Sequence, residues 1–171
     1  MTNPMRNIRI EKLNLNVGAG SDQDRLEKGL RLIENLSGGK AVKTKTQKRI
    51  PSWSLRPGLP VGAMLTLRKS KAVDTLKRIL AARDNKLDRR NFDGHGNVNF
   101  GMTEYIYIPG MKYDPTIGVM GFNVTLTLER PGFRIKRRKL LSRAVSKKHR
   151  IQPEEAIDFM KKEFKVEVAE E

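Results

Sequence analysis

The first apolar pattern in the chain alternates with polar residues, as in a strand that buries one face. Its apolar positions are Ile8, Ile10, Leu13, Leu15 and Val17. The two isoleucines lie in one phase and the later three residues in the other, which predicts a bulge or bend near Glu11-Lys12. Gly18 and Gly20 end the predicted strand.

A helical pattern follows these glycines. Ser21 is a suitable N-cap, and Asp22 and Asp24 place negative charge at the positive end of the helix dipole. The apolar stripe of this helix consists of Leu26, Leu30 and Ile33. Gly38-Gly39 stops the helix, because glycine readily adopts the left-handed conformation found at helix C-termini.

The middle of the chain predicts a strand over residues 63–68 and a second helix from after Ser70 to near Ala82. The inward positions of that helix are Val73, Leu76, Ile79 and Leu80. Its spacing follows the helical period of 3.6 residues, so one face is apolar.

Less regular structure is expected beyond the second helix. Residues 84–101 are polar and rich in Gly and Asn, which predicts a surface loop with one short strand around Val98. Residues 104–108 have the composition of a strand, and 111–121 that of an irregular loop.

The cleanest alternation covers residues 122–129, where Phe, Val and Leu alternate with Asn, Thr and Glu. Pro131-Gly132 can turn this strand into a partner that begins at Phe133, so we expect a hairpin. The last helix, about 153–164, starts at Pro153, which is favoured at the first helical position. Its inner face takes Ala156, Phe159 or Met160, and Phe164.

These elements together predict an α+β fold, with a mainly antiparallel sheet covered by helices on one face. The other face and its loops remain open for a large, flat ligand. The chain has 171 residues, a length that suits one domain over residues 1–171.

Charge changes this picture, because the surplus of cations is confined to two stretches. The net charge is +16, from 35 Lys and Arg against 19 Asp and Glu. Residues 35–73 contain nine Lys and Arg, residues 130–153 contain ten, and neither stretch contains a carboxylate. Such segregation favours a polyanionic partner, and nucleic acid carries the most regular array of negative charge.

The first stretch contains the basic loop, residues 40–57, where prolines and polar residues favour an extended loop. Its cations can reach phosphates, and they are Lys43, Lys45, Lys48, Arg49 and Arg56. Thr44, Thr46 and Gln47 can add hydrogen bonds. Trp53 could stack on a base. In the alternative interpretation the loop is merely solvated and Trp53 packs in the core.

The second stretch is the basic C-terminal segment, residues 130–153. Its cations would repel one another unless an anion neutralised them, which favours contact with RNA phosphates over a merely solvated face. They include Arg134, Lys136, Arg137, Arg138, Lys139, Arg143, Lys147, Lys148 and Arg150. If Leu140, Leu141 and Val145 are anchored, these charges project outward.

Catalysis, metal binding and membrane binding find little support. The chain has no Cys, and neither His95 nor His149 has a third partner suggested by spacing. The turn NVGAGSDQD lacks the Lys-Ser/Thr ending of a P-loop. The residues from Met1 contain no apolar h-region, so we expect no leader, and there is no long apolar run and no amphipathic helix in the basic segments. We expect no cofactor, metal or membrane partner.

Four segments cover most of the chain in the order found in one known family. They are KLNLNVGAG, KTKTQKRIPSWSLRPGLPVGAMLTLRKSKA, GMTEYIYIPGMKYDPTIGVMGFNVTLTLERPGF and KKHRIQPEEAIDFMKKEF. With these segments the chain resembles the universal 5S-rRNA-binding family of the large ribosomal subunit, number five in the usual series. RPGF and the KKHRIQPEEA block indicate its archaeal type, because bacterial members lack them.

The resemblance implies a structural, cytoplasmic protein of the ribosome that binds 5S rRNA in the central protuberance. The expected rRNA-binding residues are Asn16, Thr66, Arg68, Lys69, Arg56, Arg134, Lys136, Arg137 and Arg138. The first three stand where the family has an Asn, a Thr and an Arg on two strands. The family's long loop reaches toward P-site tRNA, and here it corresponds to Lys43, Lys45, Gln47, Lys48, Arg49 and Trp53.

Further partners implied by the resemblance are large-subunit rRNA, neighbouring proteins of the central protuberance and a protein of the small-subunit head. The residues alone leave two other classes open. A free-standing RNA chaperone or regulatory RNA-binding module would have the same charge pattern. An RNA-modifying or nucleotide-using enzyme could be built on the NVGAGS turn, although no acid, base or nucleophile accompanies it.

Overall fold

A five-stranded antiparallel sheet organises residues 3–169, the part of the chain that the computed structural model describes. The strands of the protein are β1 (Arg9–Gly18), β2 (Val42–Lys45), β3 (Pro60–Leu67), β4 (Lys86–Asp88), β5 (Asn97–Met102), β6 (Phe122–Glu129) and β7 (Glu167–Ala169). The large sheet has the order β2-β3-β1-β6-β5, and β4 and β7 form a separate parallel pair. The predicted α+β class with a mainly antiparallel sheet is confirmed.

The helices are α1 (Gln23–Ser37), α2 (Lys69–Ala81), α3 (Arg134–Arg137) and α4 (Pro153–Phe164). The two long central helices, α1 and α2, pack against strands of the large sheet. Alternate residues of β1 and β6 are buried in this core, namely Leu13, Leu15, Val17, Val124, Leu126 and Leu128. Gly29 lets α1 approach closely, because a Cβ there would lie 2.8 Å from Val17 Cγ1.

Local signals predicted several elements well. The pairing of β1 with β6 shifts register between Ile10 and Lys12, which confirms the predicted bulge. Gly38 ends α1 with a φ of 63°, as expected of a C-terminal glycine. The N-cap of α1 was predicted one residue early: it is Asp22, whose carboxylate accepts hydrogen bonds from the Asp24 and Arg25 amides at 2.9 and 3.1 Å.

Two of the strand predictions, at 104–108 and from Phe133 onward, were wrong. Within 104–108 the chain forms a 3-10 helix, Tyr105–Tyr107, and the buried residues Tyr105 and Ile108, the residue that caps this helix, are three apart. That spacing matches a 3-10 turn and not a strand. The residues from Phe133 cannot extend a hairpin, because β6 is already paired with β1 on one edge and β5 on the other. They form the short helix α3 instead.

The second half of the chain also contains more regular structure than predicted. The polar stretch 84–101 contains β4 and most of β5, and β7 follows the last helix. The strand predicted over 63–68 is the longer β3, and it ends at Leu67, so Arg68 is the N-cap of α2 and not a strand residue. α2 begins at Lys69, ahead of the predicted start.

Candidate nucleic-acid interface

The sheet face opposite the core carries amide and hydroxyl side chains in register. On β1, Asn14 lies between Thr66 and Thr125, and Asn16 pairs with Asn123. We call this surface the open face; its amide and hydroxyl residues are Asn14, Asn16, Thr66, Asn97, Asn99, Asn123, Thr125 and Thr127. Lys12 and the exposed apolar residues Met64 and Val42 share this face. Amides and hydroxyls both donate and accept hydrogen bonds, which suits base edges and ribose 2′-hydroxyls.

Most of these side chains have no protein partner. Within residues 3–169 only two side-chain hydrogen bonds involve the open face: Thr66 Oγ1 donates to Asn14 Oδ1 at 2.7 Å, and Asn97 Nδ2 donates to Asp93 Oδ2 at 2.6 Å. Asn16, Asn99 and Asn123 are exposed. Their hydrogen-bonding groups are therefore available to a ligand.

Two carboxylates lie at one end of this face, and arginines cover both. Glu129, only 5% exposed, pairs with Arg9 at 2.8 Å between Nη2 and Oε1, and also with Arg137. Glu11 pairs with Arg137 at 2.7 Å and more loosely with Arg68 at 3.6 Å. Arg137 thus joins the basic C-terminal segment to two strands, and it stabilises the fold as well as being a candidate RNA contact.

Arg130 is a second structural arginine in this segment. It is 3% exposed, donates to the Arg6 carbonyl at 3.2 Å and reaches the carbonyls of His149 and Arg150. Its Nη2 donates to Glu155 Oε1 at 2.6 Å. The guanidinium therefore ties the start of the chain to α4 and to the segment before it.

Glu155 gains a second partner from the cap of α4. Its Oε2 accepts from the Gln152 amide at 3.0 Å, which completes a capping box. Burial raises the pKa of Glu155, but the Gln152 amide and the Arg130 guanidinium outweigh it and hold the pKa below its usual value. The carboxylate stays ionised at neutral pH, as the ion pair with Arg130 requires.

The remaining predicted rRNA-binding cations are on the surface. The residues concerned are Arg56, Lys69, Arg134, Lys136 and Arg138, and all of them are exposed. Across the described part of the chain they make no ion pair. Arg138 uses its Nε to hold the Leu141 carbonyl at 2.8 Å. These side chains are free to meet phosphates.

The basic loop is more ordered than an extended loop. It begins as β2, and Thr46 continues the hairpin with β3, because its amide donates to the Leu59 carbonyl at 2.9 Å. A bridge between Ile50 and Leu55 closes the tip around a 3-10 helix at Pro51–Trp53. Its predicted tRNA-contacting residues are all exposed: Lys43, Lys45, Gln47, Lys48, Arg49 and Trp53.

Trp53 lies outside the core, with 68% of its surface exposed. The alternative in which it packs inside is therefore wrong, and the indole is free to stack. The anchoring considered for the second basic stretch does not occur at Leu140 and Leu141, which are 78% and 77% exposed, whereas Val145 is half-buried. That stretch is held instead by Arg130 and Arg137, whose carboxylate partners lie outside it.

The glycine turn after β1 is a structural turn. The amides of Ala19 and Gly20 both donate to the Val61 carbonyl, at 2.9 and 3.2 Å, so they are not free to bind a phosphate. No group of three His, Asp or Glu suited to a metal ion occurs among residues 3–169. Over the same residues no helix is long and apolar enough to span a membrane.

Sequence reasoning missed most of the open face. It selected Asn16 and Thr66 but not Asn14, Asn99 or Asn123. The signal was present in the sequence. The outward positions of β5 are Asn, Asn and Gly, and those of β6 are Asn, Thr, Thr and Glu. Only the register of three strands brings these positions onto one surface.

Two family models match the chain. One, described as Ribosomal protein L5, covers residues 3–56, and the other, described as the C-terminus of the same ribosomal family, covers residues 60–159. The two matches meet within the β2–β3 hairpin, inside one sheet. The organisation of residues 1–171 as one domain stays a prediction.

Archaeal proteins named large ribosomal subunit protein uL5 are similar over nearly the whole chain. The one from Nanoarchaeum equitans is 45% identical over 169 residues, which are 98% of this chain and 99% of the relative. The one from Sulfolobus acidocaldarius is 42% identical over 168 residues, 98% and 94% of the two chains. The one from Thermoplasma acidophilum is 41% identical over 167 residues, 97% and 98% of the two chains.

Proposed function

Because the chain belongs to the uL5 family of large-subunit ribosomal proteins, we propose that it binds 5S rRNA in the central protuberance through its open face. Family membership itself makes the protein an RNA-binding, structural constituent of the large ribosomal subunit in the cytoplasm, associated with rRNA and not an enzyme.

The observation that carries the proposal is the hydrogen-bonding character of the open face. It holds five Asn and three Thr beside Lys12, Met64 and Val42, and the two carboxylates at its edge are neutralised by arginines. Neutral amides do not repel phosphates, and they can read the bases and hydroxyls of folded RNA. A flat surface of this kind suits structured RNA better than a small ligand.

Cations at the rim supply the phosphate contacts. Besides the exposed cations, Arg68 and Arg137 keep 53% and 45% of their side chains exposed. We propose that both contact rRNA while remaining paired to Glu11. Each phosphate contact releases counterions, so affinity should fall steeply with salt. The same cations can help to attach 5S rRNA to large-subunit rRNA.

The basic loop is proposed to contact P-site tRNA. It extends beyond the Gly18–Gly62 end of the sheet, whereas Glu129 and Arg137 mark the other end. Its cations make no ion pair among residues 3–169, and Trp53 offers a stacking plane. A second RNA could thus be contacted while the open face holds the first. Contacts with neighbouring central-protuberance proteins and with the small-subunit head are also proposed, from family membership alone.

The open face is tested by changing Asn16 and Asn123 together to Ala. Loss of two hydrogen bonds should weaken 5S rRNA binding by about tenfold. The slope of log affinity against log salt should not change, because no charge is lost. Asn35→Ala, on the exposed side of α1, is the matched control and should bind normally. If the double variant bound 5S rRNA with unchanged affinity, the open face would not be part of the interface.

The loop is tested by changing Lys45, Lys48 and Arg49 together to Ala. Binding of 5S rRNA should stay within about twofold, while P-site tRNA binding to reconstituted ribosomes weakens, because phosphate contacts are lost. A control of equal charge changes three exposed helix lysines, Lys28, Lys77 and Lys161. If the loop variant lost 5S rRNA binding instead, the assignment of the loop to tRNA would be wrong.

A further inference from the structure

A cleft of about 370 Å³ lies between the basic C-terminal segment and the turn before β5. We call it the cationic cleft; its lining includes Phe133, Lys136, Arg143, Arg150, His95 and Val145. Three of these residues are cations, Phe133 and His95 carry aromatic rings, and no carboxylate contributes to the lining. It lies beyond the Glu129 end of the sheet and shares no residue with the open face.

The charged groups of this cleft are largely unused. Between residues 3 and 169 neither the Lys136 ammonium nor the Arg143 guanidinium makes an ion pair or a hydrogen bond. Arg150 uses only its Nε, on the Val145 carbonyl at 3.4 Å. Cations gathered with no carboxylate in the lining favour an anion.

The backbone around the cleft is held in place before any ligand arrives. The Arg143 amide donates to the Ile135 carbonyl at 3.2 Å, and Ser142 Oγ donates to the Lys136 carbonyl at 3.0 Å. On the opposite wall, the Asp93 carboxylate accepts from the His95 amide at 2.9 Å. The two walls are therefore set by hydrogen bonds from different parts of the chain.

Phe133 is the aromatic surface of the cleft. Its ring meets His149 edge to face, with centroids 5.8 Å apart, and a His149 ring nitrogen lies 2.9 Å from the Pro131 carbonyl. The ring is half-buried, so it is neither part of the main core nor freely mobile. An aromatic ring beside cations is the combination that binds an unstacked base and its phosphate.

We propose that the cationic cleft binds one unstacked nucleotide of an RNA, with the base against Phe133 and the phosphate at Lys136 and Arg143. Small-molecule sites begin at about 300 Å³, so the cleft suits a single nucleotide and excludes a double helix. A bulge or loop in rRNA supplies such a nucleotide. This inference rests on the proposed RNA binding and adds a second point of contact.

The experiment compares two RNA hairpins that differ only at one 2-aminopurine, which is bulged in one hairpin and paired in the other. The full-length protein should bind the bulged hairpin at least about fivefold more tightly, the lower end of the stabilisation from one base–aromatic stack. Lys136→Ala with Arg143→Ala should abolish this preference. Lys147→Ala with Lys148→Ala removes the same charge outside the cleft, and should weaken both hairpins equally.

Phe133→Leu gives a variant with unchanged charge. It should lose the preference for the bulge and leave the salt dependence of binding as it is, because no phosphate contact is removed. Its thermal unfolding identifies any loss of fold. Equal binding of the two hairpins by the wild-type protein would overturn the proposal. The proposal would also be overturned if the Lys147 and Lys148 control variant lost the preference for the bulged hairpin together with the cleft variants.

Two further measurements identify the source of the nucleotide. Adenosine monophosphate should displace the bulged hairpin only weakly; if it bound as tightly as the hairpin, the ligand would be a free nucleotide and the RNA assignment would fail. Binding of 5S rRNA against an unrelated RNA is measured in the same buffer. A wild-type protein that prefers 5S rRNA but not the bulge overturns the cleft alone, whereas no preference for 5S rRNA overturns the proposed function.

Discussion

The basic loop leaves the sheet at the Gly18–Gly62 end, whereas the basic C-terminal segment folds back at the Glu129 end. The loop keeps its cations exposed and without ion pairs among residues 3–169. The segment uses two arginines internally: Arg130 with Glu155, and Arg137 with Glu11 and Glu129. The basic loop and the basic C-terminal segment therefore have similar charge but different roles in the fold.

The difference lies in what surrounds each stretch. Carboxylates from β1, β6 and α4 pair with the second stretch, and within the described residues none pairs with the loop. An ion pair in which either the arginine or the carboxylate is buried becomes part of the fold, because leaving the buried charge alone would be costly. A count of cations in sequence thus overstates how many of them are available to RNA.

The largest expected effect is that of Arg130→Ala. The change removes the partner of Glu155 and leaves three backbone carbonyls without this donor, so we expect the free energy of unfolding to fall by about 3 kcal/mol. Urea denaturation measures the fall. Arg134→Ala, an exposed neighbour in the same segment, should change it by less than about 0.5 kcal/mol. Equal effects would erase the distinction between structural and free cations.

Arg137→Ala should have the next largest effect. It leaves Glu129 buried with Arg9 as its remaining partner, and we expect a loss of about 2 kcal/mol, less than for a fully buried pair because Arg137 is half exposed. Arg138→Ala is the control, since no ion pair of Arg138 occurs in the described chain. A loss no greater than in the control would mean that the segment is attached by other contacts.

Lowering the pH gives a further test of the ion pair between Arg130 and Glu155. The lowered pKa of Glu155 means that its contribution to stability is present above the unfolded-state pKa and is lost as pH falls through the folded-state pKa. Glu155→Gln should cost about 1 kcal/mol at pH 7, a modest value because the carboxylate is partly exposed. The difference in free energy of unfolding between this variant and the wild-type protein should be smaller at about pH 3, which is below the ordinary glutamate pKa, than at pH 7. Parallel urea titrations at both pH values measure it, and a constant difference would contradict the ionic role.

The smallest effect on stability is expected for the loop. Changing Lys45, Lys48 and Arg49 together to Ala should shift the free energy of unfolding by less than about 0.5 kcal/mol, because these side chains are exposed and have no ion pair within residues 3–169. The same denaturation experiment applies. A loss above about 1 kcal/mol would mean that the loop, like the C-terminal segment, is part of the fold.

Local patterns predicted those parts of the protein that depend on local physics. The alternation over Phe122–Glu129 predicted β6, and Gly38 predicted the end of α1. The absence of a strand from Phe133 could not be predicted, because it depends on β1 and β5 occupying both edges of β6. The last helix also depends on local signals, and its bounds, Pro153–Phe164, agree with the prediction.

The candidate interface follows the same rule. The positions of the cations are read directly from the sequence, but the partner of Arg137 on β1 is 126 residues away and that of Arg130 is 25 residues away. The exposure of Trp53 likewise depends on a hairpin tip that closes through Ile50 and Leu55. Charge predicts which stretches RNA would contact, and only the fold separates candidate binding residues from structural ones.

The central place of β1 has a consequence for how the protein is made. The ribosome synthesises this strand well before its neighbour β6, which ends at Glu129, and the Arg130 contact requires Glu155. Pairings so distant in sequence are formed slowly. Until translation has passed these residues, one edge of β1 is unpaired, so the nascent chain stays open to aggregation during that interval.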